Sequence, residues 1–170
     1  MESEADEDWR FLRAKFEKKF QLATSKLSIA GRRFSWLQIH EPDKVLEAAA
    51  HLPDVITNSP YWAARWPSAV ALDRHLASYE LEGLDVLELG CGSGIAGCSA
   101  AIRGARVTLT DAVEHAVHLA QLNTWPFRER CEYATLIWGT QRLQERYPFI
   151  IGADLVYDES QFRLLEQCVS

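Results

Sequence analysis

The chain of 170 residues is long enough for one domain with a sizeable core, and its composition, 48% hydrophobic and 25% charged, is typical of soluble globular proteins. Five of the acidic residues behind its net charge of −6 lie within 2–8, which leaves the rest of the chain nearly neutral. A nearly neutral body lacks the basic patch expected of a nucleic-acid-binding protein. We therefore predict an acidic, disordered leader over 1–8, a single domain behind it, and no nucleic-acid partner.

The cysteines bear on metal binding and cellular compartment. Cys91, Cys98, Cys131 and Cys168 form neither a C-x-x-C pair nor a zinc-like spacing with the five histidines, which predicts reduced thiols and no metal site. No apolar run approaches the roughly 20 residues of a membrane span, and the acidic N-terminus is unlike a signal or transit peptide. We expect a cytoplasmic monomer with no membrane partner.

The first part of the chain predicts helices on either side of a hairpin. Apolar residues at helical spacing indicate an amphipathic helix over 8–23, and "KLSIAGRRFSWLQI" alternates around Gly31 as a short hairpin does. The stretch "DKVLEAAAHL" predicts a second helix between Pro42 and Pro53. These elements form an N-terminal helix and hairpin extension over 9–54.

The remainder alternates strands with helices. A helix over 68–79 precedes four candidate strands, at 85–89, 105–111, 131–139 and 148–157, and helices follow the first, second and fourth of them. This order predicts an α/β, Rossmann-like doubly wound sheet, mainly parallel, over 55–170. The fourth strand is largely apolar, which predicts a central position in the sheet.

The turn after the first of these strands is rich in glycine. In "GLDVLELGCGSGIAG", residues 83–97, glycines stand at positions 90, 92 and 94. Parallel α/β sheets bind ligands at this edge, and glycine lets a ligand approach the backbone. A tight turn that binds nothing is one alternative. The dinucleotide fingerprint G-x-G-x-x-G also fits "GSGIAG", so an NAD-dependent oxidoreductase is another.

The same stretch resembles motif I of the class I S-adenosylmethionine-dependent methyltransferases, in which an acidic residue precedes G-x-G-x-G. Glu88, Gly90, Gly92 and Gly94 match that motif position by position. The resemblance implies that S-adenosylmethionine is the cofactor, with Glu88 near its methionine ammonium and the glycines beneath it. A nearby carboxylate suits a cationic sulfonium compound.

The second strand ends in Asp111, where nucleotide-binding Rossmann-like folds place an acid on the ribose hydroxyls. Because NAD and S-adenosylmethionine both contain ribose, this residue supports either cofactor. A helix N-cap before "AVEHAV" is the alternative role of Asp111.

Two tryptophan segments narrow the resemblance to methyltransferase family 16, a group of seven-β-strand protein-lysine methyltransferases. The segments are "PYWAARWPSAVAL", which contains Trp66, and "LIWG", which contains Trp138. The resemblance implies that Trp66 lies beside the cofactor and that Trp138 borders the adenine. Packing in the core is the alternative for each ring.

The fourth strand ends in "GADLVYDE", and the residues from Asp154 to Tyr157 fit the D-x-x-Y signature of that group. The resemblance implies a protein substrate whose lysine amine meets Asp154 and Tyr157 as catalytic residues, with Asp154 also beside the cofactor. A carboxylate can orient an amine while aromatic walls exclude water from it. An N-cap at Asp158 or Ser160, with Tyr157 packed nearby, is the alternative.

The fold of this family has seven strands, whereas the sequence supplies four and a hairpin. We therefore expect a chain truncated at its C-terminus, in which the fourth strand becomes an exposed apolar edge. The functional expectation is methyl transfer from S-adenosylmethionine to a lysine side chain of a protein. A small-molecule methyltransferase and a truncated, non-catalytic interaction module are the remaining alternatives.

Overall fold

The structure, a computed structural model, describes residues 4–49, 60–141, 143 and 145–170. These residues form an antiparallel hairpin and a four-stranded parallel sheet, with helices packed against both. The α/β class and the parallel sheet, which follow from the alternation of strands and helices, are confirmed.

The N-terminal helix α1 (Glu4–Glu17) begins and ends earlier than the sequence predicts. A disordered leader over 1–8 is wrong for residues 4–8, while residues 1–3 lie outside the described part of the chain. Three acids, Glu4, Asp6 and Glu7, occupy the first turn of α1. Carboxylates there interact favourably with the partial positive charge of a helix N-terminus, so acidity favours this helix instead of preventing it.

The predicted hairpin is confirmed as β1 (Leu22–Ile29) and β2 (Arg32–Ile39), joined by Ala30 and Gly31, both with positive φ. A two-residue turn of this kind matches the twist of the strands. The Asn123 side chain fixes the hairpin to the body: its Oδ1 accepts from the Leu37 N–H at 2.8 Å and its Nδ2 donates to the Leu37 carbonyl at 3.0 Å. The helix α2 (Pro42–Ala49) follows, and the rest of its predicted length falls in 50–59, outside the described residues.

The later elements occur in the predicted order with shorter bounds. They are a 3₁₀ turn (Pro60–Ala63), α3 (Pro67–Leu76), β3 (Asp85–Leu89), α4 (Ile95–Ile102), β4 (Arg106–Asp111), α5 (Glu114–Thr124), a 3₁₀ helix (Trp125–Arg130), β5 (Cys131–Thr135), β6 (Phe149–Gly152) and α6 (Glu159–Val169). Helix α5 ends before Pro126, as predicted, although the chain continues in 3₁₀ form. Both β5 and β6 stop several residues before the ends that their apolar runs suggest.

The strands lie in the order β5-β4-β3-β6, which makes β6 an edge strand of the described sheet. The central position predicted from its apolar composition is therefore wrong for the described residues, whereas the edge position expected of a chain with four candidate strands is confirmed. Its Ile151 is buried, whereas Ile150 is 39% exposed. A short apolar run indicates that a strand is covered on its faces, but it does not specify how many neighbours the strand has.

Helices cover both faces of the sheet, as a doubly wound fold requires. On one face, Val86 and Leu109 pack into the core that contains the small residues of α4. On the other, Leu87 and Leu89 pack with Leu165 of α6. Burying such a side chain fully contributes roughly 1.5–3 kcal/mol, so the two layers hold β3 and β4 firmly. The carboxyl ends of β3, β4 and β6 consequently meet at one fixed edge.

The four cysteines are all free, and three of them are buried. Burial raises the pKa of the Cys91 and Cys98 thiols well above the ordinary value, so both groups stay protonated and unreactive. Within the described ranges, no helix is long and apolar enough to cross a membrane.

Candidate functional site

A cavity of about 1290 Å³ opens at the carboxyl edge of the parallel sheet. Because β4 lies on one side of β3 and β6 on the other, this is the point where α/β sheets bind ligands. Seven of the nine residues that the sequence singles out line it, and they are Trp66, Gly90, Gly92, Asp111, Trp138, Asp154 and Tyr157. The structure thus brings together residues that are up to 91 positions apart in the chain. Glu88 and Gly94 are not among the lining residues.

The glycine turn between β3 and α4 has left-handed backbone at all three predicted positions, with φ of 60° at Gly90, 51° at Gly92 and 85° at Gly94. A Cβ on Gly92 would have the Trp62 carbonyl oxygen, 3.8 Å away, as its nearest neighbour, so this side of the turn faces open space. A Cβ on Gly94 would instead lie 3.0 Å from that of Ala120. Gly92 therefore gives a ligand access to the backbone, whereas Gly94 allows α4 and α5 to pack closely.

Asp111 ends β4 and fastens the glycine turn to the cavity wall. Its Oδ2 accepts from the Gly92 N–H and its Oδ1 from the Val113 N–H, each at 3.0 Å. Burial raises the pKa of the Asp111 carboxyl, against the two backbone bonds, which lower it. The N-cap of α5 is Val113, so Asp111 does not have the N-cap role that was its alternative. Carboxylate oxygens held in this way can also accept from the hydroxyls of a bound ribose.

Glu88 lies beneath the turn, on the helix side of β3, and is only 3% exposed. Its Oε2 accepts from the Gly97 N–H at 2.9 Å. Burial raises the pKa of this carboxyl to about 8, the Gly97 bond opposes the rise, and the charge of Asp111 adds to it. Glu88 therefore supports the glycine turn from below, and its place near the methionine ammonium of the cofactor stays a prediction.

Aromatic rings form a further part of the cavity wall. Trp66 is 41% exposed, its indole N–H donates to the Tyr61 carbonyl at 2.9 Å, and its ring meets that of Tyr61 edge to face. Trp138 lines the cavity from the end of β5 and also packs against the leucines beneath it, so it combines both roles considered for it. Tyr61 and Trp62 line the cavity too, although the sequence analysis did not select them. Their signal was present, because both lie in the same aromatic segment as Trp66.

Asp154 and Tyr157 line the cavity from the loop that joins β6 to α6. Asp154 follows the last residue of β6 by two positions, and its Oδ2 accepts from the Ser68 hydroxyl. Tyr157 is 63% exposed, and its ring lies 5.4 Å from that of Tyr61. The alternative placement at a helix start applies to Asp158, which is the N-cap of α6 and accepts from the Ser160 N–H at 2.9 Å.

The two sides of the cavity suit different chemical groups. On one side, the open backbone at Gly92 and the fixed oxygens of Asp111 suit a nucleoside. On the other, the Asp154 carboxylate beside the rings of Tyr61 and Tyr157 suits a cationic group such as an ammonium. Among the residues that the structure describes, no group of three or more His, Cys, Asp or Glu side chains could hold a metal ion.

Several solved structures with a similar fold are named as methyltransferases. PH1948 from Pyrococcus horikoshii, whose name describes an RNA methyltransferase, superimposes with a TM-score of 0.53 and 21% identity, over 74% of this chain and 67% of its own. The glycopeptide N-methyltransferase MtfA, solved with sinefungin, has a TM-score of 0.50 and 18% identity, over 75% and 53% of the two chains. At these identities the likeness establishes the Rossmann-like methyltransferase fold.

Sequence relatives are more specific. Mouse protein N-lysine methyltransferase METTL21A is 36% identical over 115 residues, 62% of this chain and 52% of the relative, and mouse EEF1A lysine methyltransferase 3 is 37% identical over 111 residues, 61% and 47%. The chain thus spans about half the length of these relatives. A family model described as lysine methyltransferase matches residues 49–170, which include every residue that lines the cavity. The chain therefore belongs to the lysine methyltransferase family, methyltransferase family 16.

Proposed function

We propose that this chain forms the cofactor-binding part of an S-adenosylmethionine-dependent methyltransferase that acts on a lysine side chain of a protein. One observation carries the proposal: a single cavity is lined on one side by Gly92 and Asp111 and on the other by Asp154 and Tyr157. A methyl donor and an amine acceptor need adjoining sites of this kind. The names of the relatives, which describe protein N-lysine and EEF1A lysine methyltransferases, support a protein substrate.

The residues present fit the cofactor. The open backbone at Gly92 admits the bound molecule close to the turn, and Asp111 offers oxygens for its ribose hydroxyls. Trp138 provides a ring for the adenine, and stacking of this kind contributes roughly 1–3 kcal/mol. Trp66 provides a second ring in the wall of the cavity. When bound, S-adenosylmethionine supplies an electrophilic methyl group on a sulfonium.

The residues on the opposite side act on the amine. The Asp154 carboxylate can accept a hydrogen bond from the lysine amine and so direct its lone pair into the cavity. The Tyr157 and Tyr61 rings, 5.4 Å apart, can cover part of the bound amine and so shape its path to the methyl group. Holding the two reacting groups in one orientation supplies part of the rate enhancement.

If the chain instead bound NAD, the glycines of "GSGIAG" would have to contact its pyrophosphate. Of these three glycines, only Gly92 lines the cavity, since Gly94 packs on Ala120 and the Gly97 N–H is taken by Glu88. A doubly charged pyrophosphate would also approach the carboxylate of Asp111. These contacts favour S-adenosylmethionine over NAD.

The proposal also includes the cellular compartment and the oligomeric state of the chain. Four free cysteines are compatible with the reducing cytoplasm, and a body that is nearly neutral outside residues 2–8 disfavours nucleic acid as the substrate. We propose that the chain acts there as a monomer. Its mass in solution, measured by light scattering, tests the monomer, and fractionation of cells tests the compartment.

Calorimetric titration with S-adenosylhomocysteine, with NAD as the parallel ligand, tests the cofactor. We expect saturable binding of S-adenosylhomocysteine alone, and at least about 30-fold weaker binding after Asp111→Ala, which removes the acceptor of two backbone N–H groups and of the ribose. Asp85→Ala is the matched control, because Asp85 starts β3 at the opposite edge of the sheet. Binding of NAD instead, or an equal loss in Asp85→Ala, would contradict the proposal.

A transfer assay tests the substrate class. Tritiated methyl from S-adenosylmethionine is offered to purified EEF1A, the protein named in one relative, and to free lysine. Incorporation into the protein alone supports a protein-lysine methyltransferase, and incorporation into free lysine would favour the small-molecule alternative. Cofactor binding without transfer to either acceptor would instead support a non-catalytic module.

A further inference from the structure

The backbone of Asp154 is in an unusual conformation. Among the residues that the structure describes, Asp154, with φ of 54°, and Ala30 in the hairpin turn are the two non-glycine residues with positive φ. This region is unfavourable for an L-residue, so it persists only where contacts hold it. Asp154 is exposed and lies in the loop between β6 and α6, where packing does little to fix its side chain.

One side chain does fix it. The Ser68 hydroxyl donates to Asp154 Oδ2, across 86 positions of sequence. Among the described residues, no hydrogen bond joins a second partner to that carboxylate. A hydrogen bond to an ionised acceptor is about twice as strong as one between neutral groups, which makes this contact the main restraint on the direction of the carboxylate.

Ser68 is itself held by a rigid element. It is the second residue of α3, directly after Pro67, and the same helix carries the buried Asp73 five positions later. Asp73 Oδ1 accepts from the Ser99 hydroxyl at 2.7 Å and from Arg103 Nη1 at 3.1 Å, both on or next to α4. The position of Ser68 is therefore set by the packing of α3 on α4, not by the loop that carries Asp154.

We propose that Ser68 is a positioning residue for the methyl-transfer site. Its hydroxyl holds Asp154 Oδ2 at the start of α3, and Oδ1 is thereby left to accept from the substrate ammonium or amine. The inference rests on the proposed function, because it assumes that the carboxylate faces the amine of the acceptor lysine. It adds a residue that the sequence analysis did not select, although Ser68 lies two positions after Trp66 in the same segment, and Ser68 itself does not line the cavity.

The probe is a pair of cofactor analogues, which makes the test independent of the unidentified protein substrate. Sinefungin carries an amine-bearing carbon in place of the sulfonium and its methyl group, whereas S-adenosylhomocysteine carries only a sulfur there. The ratio of their dissociation constants, measured by calorimetry on the full chain, therefore reports how well a carboxylate is directed at the place where the methyl group is transferred. We expect the wild-type chain to prefer sinefungin.

Four variants test whether the Ser68 hydroxyl is responsible for the preference for sinefungin. Ser68→Ala should reduce the preference for sinefungin about fivefold or more while binding of S-adenosylhomocysteine stays within about twofold. Asp154→Asn should reduce the preference at least as much, and Ser68→Thr, which keeps the hydroxyl, should restore it. Ser78→Ala is the matched control, because it removes a hydroxyl just after α3 that donates to the His75 carbonyl, and it should change neither constant.

The outcomes separate the inference from the proposed function. If S-adenosylhomocysteine does not bind the wild-type chain, the proposed function fails and the inference fails with it. If it binds but Ser68→Ala retains the preference for sinefungin, or the wild-type chain has no such preference, the inference alone is overturned. A decrease in the affinity of both ligands in Ser68→Ala would show a general structural role, which also overturns it.

Discussion

The two sides of the cavity are built differently. On the cofactor side, Glu88 is buried under the glycine turn, and Asp111 accepts from two backbone N–H groups. On the proposed substrate side, Asp154 and Tyr157 are exposed, and the Ser68 hydroxyl donates to the Asp154 carboxylate. The cofactor side is thus formed by the same contacts that fold the sheet, whereas the substrate side depends on a few contacts between exposed side chains. Changes on the first side should affect stability as well as binding, and changes on the second should affect binding alone.

The largest expected effect is on the pH dependence of stability, and it comes from the buried carboxyl of Glu88. Its pKa is raised from 4.5 to about 8 in the fold, so between these values the folded chain retains a proton that the unfolded chain has lost. The free energy of unfolding therefore falls as pH rises, by at most about 1.4 kcal/mol per pH unit. Glu88→Gln, which cannot titrate and keeps an acceptor for the Gly97 N–H, should lack this dependence. Urea unfolding of both proteins from pH 5 to pH 8 measures the difference.

The wild-type chain should lose stability relative to Glu88→Gln as pH rises across that range. Glu82→Gln, which removes an exposed carboxylate just before β3, is the control for the change in net charge. A difference between wild type and Glu88→Gln that stays constant with pH would show that the buried carboxyl does not hold its proton.

Two glycine variants, with expected effects of intermediate size, distinguish backbone strain in a turn from contact with the ligand. Gly92→Ala and Gly31→Ala both place a side chain at positive φ, and each should lower stability by about 1 kcal/mol. The new methyl group at position 31 meets nothing within 4 Å, whereas the one at position 92 stands in the cavity wall. We expect the affinity for S-adenosylhomocysteine to fall about tenfold in Gly92→Ala and to stay unchanged in Gly31→Ala. Equal affinities would show that the ligand does not approach the turn.

The smallest effect tests the substrate side. Tyr157 is 63% exposed, so Tyr157→Ala should change the free energy of unfolding by less than about 0.5 kcal/mol. Its thermal unfolding should match that of Tyr157→Phe, which keeps the ring contact with Tyr61. A loss above about 1 kcal/mol in Tyr157→Ala would mean that this side, too, is part of the folding core.

The sequence predicted the parallel sheet because strand and helix periodicities alternate clearly from residue 85 onward. It predicted that Gly90, Gly92, Asp111, Asp154 and Tyr157 meet because the carboxyl ends of parallel strands lie at one edge. Trp66 and Trp138 were predicted only from the resemblance to the family. The sequence was wrong about residues 4–8, whose charge suggests disorder but suits the first turn of a helix. The apolar run of β6 wrongly suggested a central strand, because apolar composition does not encode the number of neighbouring strands. The count of four candidate strands correctly predicted an edge.

Glu88 shows why motifs do not fix side-chain directions. Successive residues of a strand point to opposite faces, and Glu88 shares its face with Val86, towards α4. Its match to an acidic motif position predicts a place near the cofactor, and only the structure shows that its carboxylate accepts from the Gly97 N–H in the core. Tyr61 and Trp62 were missed although they lie in the aromatic segment of Trp66, because that segment alone does not separate a ring that lines a cavity from one in the core.

Three features could be predicted from the sequence alone: the class of the fold, the left-handed glycine turn, and the edge of the sheet at which the cavity opens. These follow from periodicity, from the steric freedom of glycine and from the geometry of parallel strands, all of which act over a few residues. Two contacts became visible only in the tertiary structure: the bond from the Gly97 N–H to Glu88 beneath the turn, and the bond from the Ser68 hydroxyl to Asp154, 86 positions away. Those contacts depend on how α3 and α4 pack on the sheet, and packing is set by many side chains at once.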